Sequence, residues 1–249
     1  MLLTNKVALI TGSANGIGQA TATVFAAQGA ALVLLDRNGE ANQRTASELR
    51  TNSKSAVLEF TLDLRDRSAI DAAFSTARTQ LGPVDILVNN AGVYPRQSFL
   101  EMTEQQWDDM QAINLKSMFH TTQAALPDML SRRSGKIVNI SSVTFHLGMA
   151  ELTHYVASKG GVIGLTRSLA REVGPQNIHV NCITPGAINV EAEKLFVTED
   201  QIKAWLDQQS LKRRILPLDI ARTCLFLSSE LSDGLTGQTL NVDGGWFMH

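Results

Sequence analysis

The chain has 249 residues, of which 44% are hydrophobic and 18% charged, with a formal net charge of −2. That balance fits a folded protein with a sizeable core, and the absence of any basic run sets aside nucleic acid and anionic membrane surfaces as main partners. No apolar run approaches bilayer-spanning length and the opening MLLTNKVALITG lacks the order of a secretory leader, so the cytoplasm is the expected location.

Short aliphatic runs alternate with longer amphipathic stretches along the chain. Strands are expected at residues 6–11 (KVALIT), 31–36 (ALVLLD), 56–61, 84–88 (VDILV), 136–140 (KIVNI), 179–184 and 239–242. Between them, helical periodicity runs over 18–28, 40–50, 68–80, 104–130 and 155–173. Continuous apolar strands separated by helices predict a parallel sheet covered on both faces. No linker, charge block or repeat divides the chain, so residues 1–249 are expected to form one α/β domain, a doubly wound Rossmann sheet of about seven strands. One segment departs from the pattern. Residues 188–214 are helical and charged and interrupt the sheet before its last strand, which suits either a cover over a ligand or a plain surface helical pair. Cys182 and Cys224 lie in apolar runs and read as core thiols in a reducing compartment.

Directly after the first strand comes TGSANGIG, with Gly12, Gly16 and Gly18 spaced G-x-x-x-G-x-G around Asn15 and Ile17. Glycines between a strand and a helix permit a tight turn and close approach of backbone to a pyrophosphate. The second strand ends on Asp36, where a carboxylate can accept hydrogen bonds from an adenosine ribose and repel a 2′-phosphate, so NAD is expected over NADP. Asp36 also suits a helix-cap or turn role, and Arg37 beside it softens the discrimination. Asn15 is neutral and adds no phosphate anchor.

Further segments follow in order: Asp63-Leu64, Asn89-Asn90-Ala91-Gly92, Asn114 in INLKSMF, Ser141-Ser142, Tyr155 and Lys159 as Y-x-x-x-K, and Pro185-Gly186. Together with the glycine loop they resemble the short-chain dehydrogenase/reductase family over nearly the whole chain. The resemblance implies an oxidoreductase acting on CH–OH groups, with Asn114, Ser142, Tyr155 and Lys159 as catalytic residues. It places the cofactor on Gly12, Asn15, Gly16, Ile17, Gly18, Asp36, Asp63, Leu64, Asn90, Ala91, Gly92, Tyr155, Lys159, Pro185, Gly186 and Ile188. It also implies a homotetramer, built through 104–130, 155–173 and the last strand, with Ala157, Gly160, Gly161 and Gly164 allowing close packing and the apolar tail 246–249 at a subunit interface. The chain departs from the family at Val190, where a threonine commonly contacts the nicotinamide carboxamide. That contact is then lost, supplied by Asn189, or taken over by backbone.

Hydride transfer needs a group that handles the hydroxyl proton. A tyrosine with its ordinary pKa near ~10 is a weak base at neutral pH, and an ammonium one helical turn away is expected to lower it. Tyr155 is thus the expected acid/base, with Lys159 tuning it, Ser142 holding the substrate oxygen, Ser141 structural and Asn114 holding a relay water. Substrate contacts are expected from Thr144, Phe145, His146 and Leu147, from Tyr94–Arg96 and from 190–196, with His154 facing either way. The expected partner is a small alcohol or carbonyl compound: a secondary alcohol, a polyol or sugar, or an aromatic alcohol. A 3-oxoacyl-thioester reductase shares every motif but is opposed by Asp36, and Arg132-Arg133 is the sole basic pair near an edge that suits a carrier protein. A non-catalytic cofactor-binding regulator is opposed by the intact tetrad. No G-x-S-x-G elbow and no zinc-ligand spacing occur, so no metal is expected.

Overall fold

The computed structural model describes residues 1–190 and 197–248. Its strands are β1 (Val7–Thr11), β2 (Ala31–Asp36), β3 (Val57–Thr61), β4 (Ile86–Asn89), β5 (Gly135–Ile140), β6 (Ile178–Pro185) and β7 (Thr239–Val242). They join in one parallel sheet of order β3-β2-β1-β4-β5-β6-β7, as the doubly wound reading requires. The helices are α1 (Gly16–Ala27), α2 (Gly39–Asn52), α3 (Arg67–Gln80), α4 (Glu104–Gln111), α5 (Ser117–Arg132), α6 (Thr144–Leu147), α7 (Thr153–Val173), α8 (Glu199–Gln208) and α9 (Pro217–Ser228). No helix among the described residues is long and apolar enough to cross a membrane.

The apolar runs follow from burial on two sides. In β2, Leu32 and Leu34 pack with Phe25 of α1 and Leu49 of α2, whereas Val33 and Leu35 pack with Ile70 and Phe74 of α3. Successive strand residues point to opposite faces, so a sheet covered on both sides needs apolar residues at nearly every position. The strand order reverses between β1 and β4, and this opens a crevice at their carboxyl ends.

Residues 104–130, expected as one helix, form α4 and α5 joined by a π-helical turn at Ala112–Lys116 that carries the buried Asn114. Such turns are concentrated at functional sites. Gly160 and Gly161, expected to admit a neighbouring subunit, serve their own chain instead. A Cβ at Gly160 would meet the Phe145 ring at 2.7 Å, and one at Gly161 would meet Leu115 at 2.7 Å. Gly164 alone of the three glycines has open space above it. The insertion is drawn together at its ends by a parallel bridge between Ile188 and Ile215, and α8 starts from a capping box of Thr198 and Gln201. Residues 191–196 of the expected substrate wall lie outside the described residues, as does His249 of the tail. Trp246 and Phe247 fold back on their own chain, the indole Nε1 donating to Gln208 Oε1 at 3.0 Å and the Phe247 ring stacking on His146. Both cysteines are buried, free thiols.

A buried polar chain links the sheet to the helices that carry the site. Thr121 Oγ1 donates to Asn89 Oδ1 (2.7 Å), Asn89 Nδ2 to Asn139 Oδ1 (2.9 Å), and Asn139 Nδ2 to Thr166 Oγ1 (3.0 Å). Removing Asn139 takes a buried hydrogen bond from each neighbour and leaves Asn89 Nδ2 with only the longer bond to Thr122 Oγ1 (3.3 Å). Asn139→Ala is therefore expected to cost about 1–3 kcal/mol, read as a lower urea midpoint. An unchanged midpoint would show that the chain is dispensable.

Candidate active site

At the carboxyl ends of β1 and β4 the backbone leaves no room for side chains. A Cβ at Gly12, whose φ is +67°, would stand 2.9 Å from the Ala91 Cα, and one at Gly18 would stand 2.0 Å from the Gly12 carbonyl oxygen. Asn90 completes the contact. Its Nδ2 donates to the Thr11 and Gly12 carbonyls at 3.0 and 3.1 Å, and Thr11 Oγ1 accepts from the N–H groups of Asn90 and Ala91 at 2.9 and 3.0 Å. Residues that sequence reasoning passed over hold the loop from its other side. Ser13 Oγ donates to Asn42 Oδ1 (2.8 Å), Asn42 Nδ2 donates to the Leu34 and Phe60 carbonyls, and Thr45 Oγ1 donates to Ala14. Polar Asn42 and Thr45 on the inward face of amphipathic α2 were the available signal.

The Asn15 side chain makes no cap hydrogen bond to α1, and the first turn of α1 has no acidic residue. Uncapped first-turn N–H groups attract an anion. With the bare backbone of Gly12 and Gly16, this cradle fits the pyrophosphate of a dinucleotide. Ile17 packs into the core behind it. Val190 lies over the loop, 3.4 Å from a Cβ position at Gly16, and the Asn189 N–H is already given to the Ile215 carbonyl at 2.9 Å. Of the expected replacements for the missing threonine contact, the Asn189 backbone is thus engaged elsewhere.

Asp36 takes the turn role and keeps capacity for more. Its two oxygens accept from the N–H groups of Ala14 (3.0 Å) and Asn38 (2.9 Å), and each oxygen retains a lone pair for a ribose hydroxyl. Asp63 is held by Arg65 at 2.6 Å, and Arg65 also reaches Asp109 at 3.1 Å. The Arg65 hydrogen bond keeps the Asp63 carboxyl below its ordinary range. Leu64 packs half-buried against the core beside it. At the far side, Pro185 accepts from the Val143 N–H (3.0 Å) and Gly186 donates to the Val242 carbonyl (3.1 Å), while a Cβ at Gly186 would strike Asp243 Cα at 2.8 Å. Ile188 is buried at the bridge to Ile215.

Between these walls stand Ser142, Tyr155, Lys159 and Asn114. Ser141 is structural as expected, its Oγ donating to the Lys159 carbonyl at 2.8 Å. Ser142 Oγ accepts from both the N–H (3.2 Å) and the Oγ1 (3.0 Å) of Thr144, and it lies close enough to the Tyr155 hydroxyl to pull its pKa down. Tyr94 meets the Tyr155 ring edge-on at 6.2 Å. Lys159 is buried, with Nζ donating to the Ile140 carbonyl at 2.8 Å and lying 5.7 Å from the Tyr155 ring centre. Asn114 brackets Val93 through both amide atoms (2.9 and 2.8 Å). Its Oδ1 and Lys159 Nζ lie 3.3 and 3.5 Å from a Cβ position at Gly92.

The expected depression of the Tyr155 pKa by Lys159 is not found in the chain itself. Burial pushes the Tyr155 phenol up to about 12, with the Ser142 hydroxyl opposing it. Burial likewise pushes Lys159 down to about 8. Desolvation disfavours each charged form and here outweighs attraction between a phenolate and an ammonium that make no direct hydrogen bond. His154 is turned from solvent, towards Pro95 and Arg96 of the expected substrate wall. It is 1% exposed, its Nδ1 has no partner among the described residues, and it lines a cavity of about 430 Å³ with Arg37, Val93, Arg96, Gln106 and Met110. No metal-holding cluster of three or more His, Cys, Asp or Glu occurs among the described residues.

Residues 12–247 match a family described as enoyl-(acyl carrier protein) reductase. A probable galactose dehydrogenase of Rhizobium meliloti is 39% identical over 246 residues, covering 98% of this chain and 96% of that protein. A 3-oxoacyl-(acyl-carrier-protein) reductase of Chlamydia trachomatis is 38% identical over 245 residues, covering 98% of each. A solved structure from Agrobacterium tumefaciens, assigned provisionally as a gluconate dehydrogenase, superposes with a TM-score of 0.92 at 34% identity, covering 98% of this chain and 96% of that one. Fold, motif order and full-length similarity agree, and the chain belongs to the short-chain dehydrogenase/reductase family of oxidoreductases.

Proposed function

We propose that the protein is an NAD-preferring dehydrogenase of a small hydroxyl compound, a sugar, polyol or other alcohol, working in the cytoplasm as a homotetramer. The observation that carries the reading is Asp36, a carboxylate with lone pairs left for a ribose at the end of β2, together with Ser142 and Tyr155 brought side by side. A 2′-phosphate brought there meets a negative charge. Similarity to proteins named for galactose and gluconate oxidation supports the substrate class. A 3-oxoacyl-thioester reductase is the second reading, favoured by the similarity to the Chlamydia trachomatis reductase. Assembly is supported by exposed apolar side chains on the α4–α5 surface, Trp107, Phe119 and Leu130, and by the open space at Gly164.

When bound at the glycine loop, NAD supplies the hydride acceptor. The chain handles the proton. Ser142 Oγ holds the substrate oxygen beside the Tyr155 hydroxyl. With its pKa pushed up to about 12, Tyr155 is a proton donor throughout the neutral range, which suits carbonyl reduction directly. Oxidation needs the same oxygen to take the alcohol proton, and the Lys159 ammonium, with Nζ 5.7 Å from the Tyr155 ring centre, is a positive charge that can favour this. Asn114, anchored on Val93, keeps the π turn beside Lys159 Nζ and so fixes the route by which that ammonium exchanges its proton.

The reading is tested by screening NAD reduction over aldoses, polyols, secondary and aromatic alcohols, alongside NADPH-driven reduction of an acetoacetyl thioester. Turnover confined to the thioester overturns it. Tyr155→Phe is expected to lower kcat by about 10³-fold or more while NADH binding, read by fluorescence, is unchanged; full activity in this variant refutes the mechanism. Asp36→Ala is expected to narrow the preference for NAD over NADP in kcat/KM by about tenfold or more. An unaltered ratio would remove Asp36 as the discriminator. Lys159 also sets a pH dependence of stability. Its folded pKa of about 8 lies below its ordinary value, so between those two pH values the unfolded chain binds the extra proton and stability rises with pH. Lys159→Met is therefore expected to exceed the wild type in urea midpoint at pH 7, with the gap closing towards pH 10; a constant gap argues against the desolvated ammonium.

A further inference from the structure

We propose that Met110 is a positioning residue of the proton-handling site, its thioether setting the orientation of the Asn114 side-chain amide beside Lys159. The inference rests on the oxidoreductase reading above and holds whichever alcohol or carbonyl compound is turned over. Asn114 is fully buried, so its amide depends on the chain for partners. Its Oδ1 is identified by the Val93 N–H, which donates to it at 2.9 Å, and Nδ2 gives one hydrogen to the Val93 carbonyl at 2.8 Å. The second hydrogen has two acceptors within reach. One is Met110 Sδ at 3.0 Å, four residues earlier in the chain, and the other is Ser158 Oγ at 3.4 Å. Ser158 spends its own hydrogen on the Tyr155 carbonyl at 2.6 Å, so towards Asn114 it can only accept.

The sulfur wins on distance. An N–H to oxygen contact of 3.4 Å lies beyond the usual range of about 2.7–3.2 Å, whereas the larger sulfur atom at 3.0 Å is in full contact. Taking the sulfur away leaves the second hydrogen only the Ser158 hydroxyl, and reaching it draws the amide towards α7 and off Val93. That movement is felt at the site, because Asn114 Oδ1 and Lys159 Nζ stand 3.3 and 3.5 Å from one and the same point above Gly92, the residue before Val93. Met110 is 1% exposed, and its position asks only for an apolar side chain of this size. Leucine satisfies that packing; methionine adds an acceptor to it.

The test is steady-state kinetics with whichever substrate the screen above identifies, the acetoacetyl thioester included, so a wrong substrate class leaves it intact. Met110→Leu keeps the volume and removes the acceptor. It is expected to lower kcat about five- to tenfold and to raise the solvent deuterium isotope effect on kcat, with KM and NADH affinity within about twofold. Met110→Gln supplies an acceptor again, with the cavity of about 430 Å³ that Met110 lines to receive its extra amide group, and is expected to bring kcat back to within about twofold of wild type. In an Asn114→Ala background Met110→Leu is expected to change kcat no further, because both changes act through one amide. Independently of turnover, the Asn114 side-chain amide protons are identified in protein labelled with nitrogen-15 asparagine by their loss in Asn114→Asp. One of the two is expected to move upfield in Met110→Leu and to return in Met110→Gln. Unmoved amide protons, additive effects on kcat, failure of Met110→Gln to rescue, or a loss of kcat that follows a fall in the urea midpoint overturns the proposal.

Discussion

The whole site depends on one steric constraint, the contact of backbone with backbone where the glycine loop meets the end of β4. Gly18 faces the Gly12 carbonyl so closely that no side chain fits, and a side chain on Gly12 would collide with Ala91. Only with these positions bare can α1 start directly behind β1 and turn its uncapped N–H groups into the crevice. Asn90 then locks the two loops, and the next residues, Ala91 and Gly92, run past Asn114 and Lys159. Residues 90–92 thus touch the glycine loop at one end and Asn114 and Lys159 at the other.

Much of this was legible in the sequence because the forces that place it leave a mark on residue choice. A sheet buried on both faces must be apolar throughout, which made every strand visible. Tight backbone contacts must be glycine, which made the loop visible. What the sequence concealed were interactions whose residue types suit several roles. Asn42 and Ser13 read as ordinary helix and loop polar groups, and only the packing of α2 brings them together under the loop. Gly160 and Gly161 looked like room for another subunit because a missing side chain does not say what fills its place. His154 neighbours the acid/base in sequence, but its helix turns it away into a cavity.

The proton chemistry shows the same limit. The one-turn spacing of Tyr155 and Lys159 is a sequence fact, and it suggests charge stabilisation. The balance is decided by burial, which no spacing reveals. In the fold both groups are driven towards neutrality, and the ammonium spends one proton on the Ile140 carbonyl. In the mechanism proposed above, a phenol held neutral favours donation over abstraction.

The bridge between Ile188 and Ile215 has a wider consequence. It joins the two ends of the insertion to each other as a closed stem. The entropy of closing a loop grows slowly, by about 0.6 kcal/mol for each doubling of length. Everything beyond the stem can therefore lengthen, shorten or change composition with little effect on the frame beneath. A fold arranged in this way can acquire new substrates by exchanging one cartridge of chain, provided that the tail which grips it changes in step.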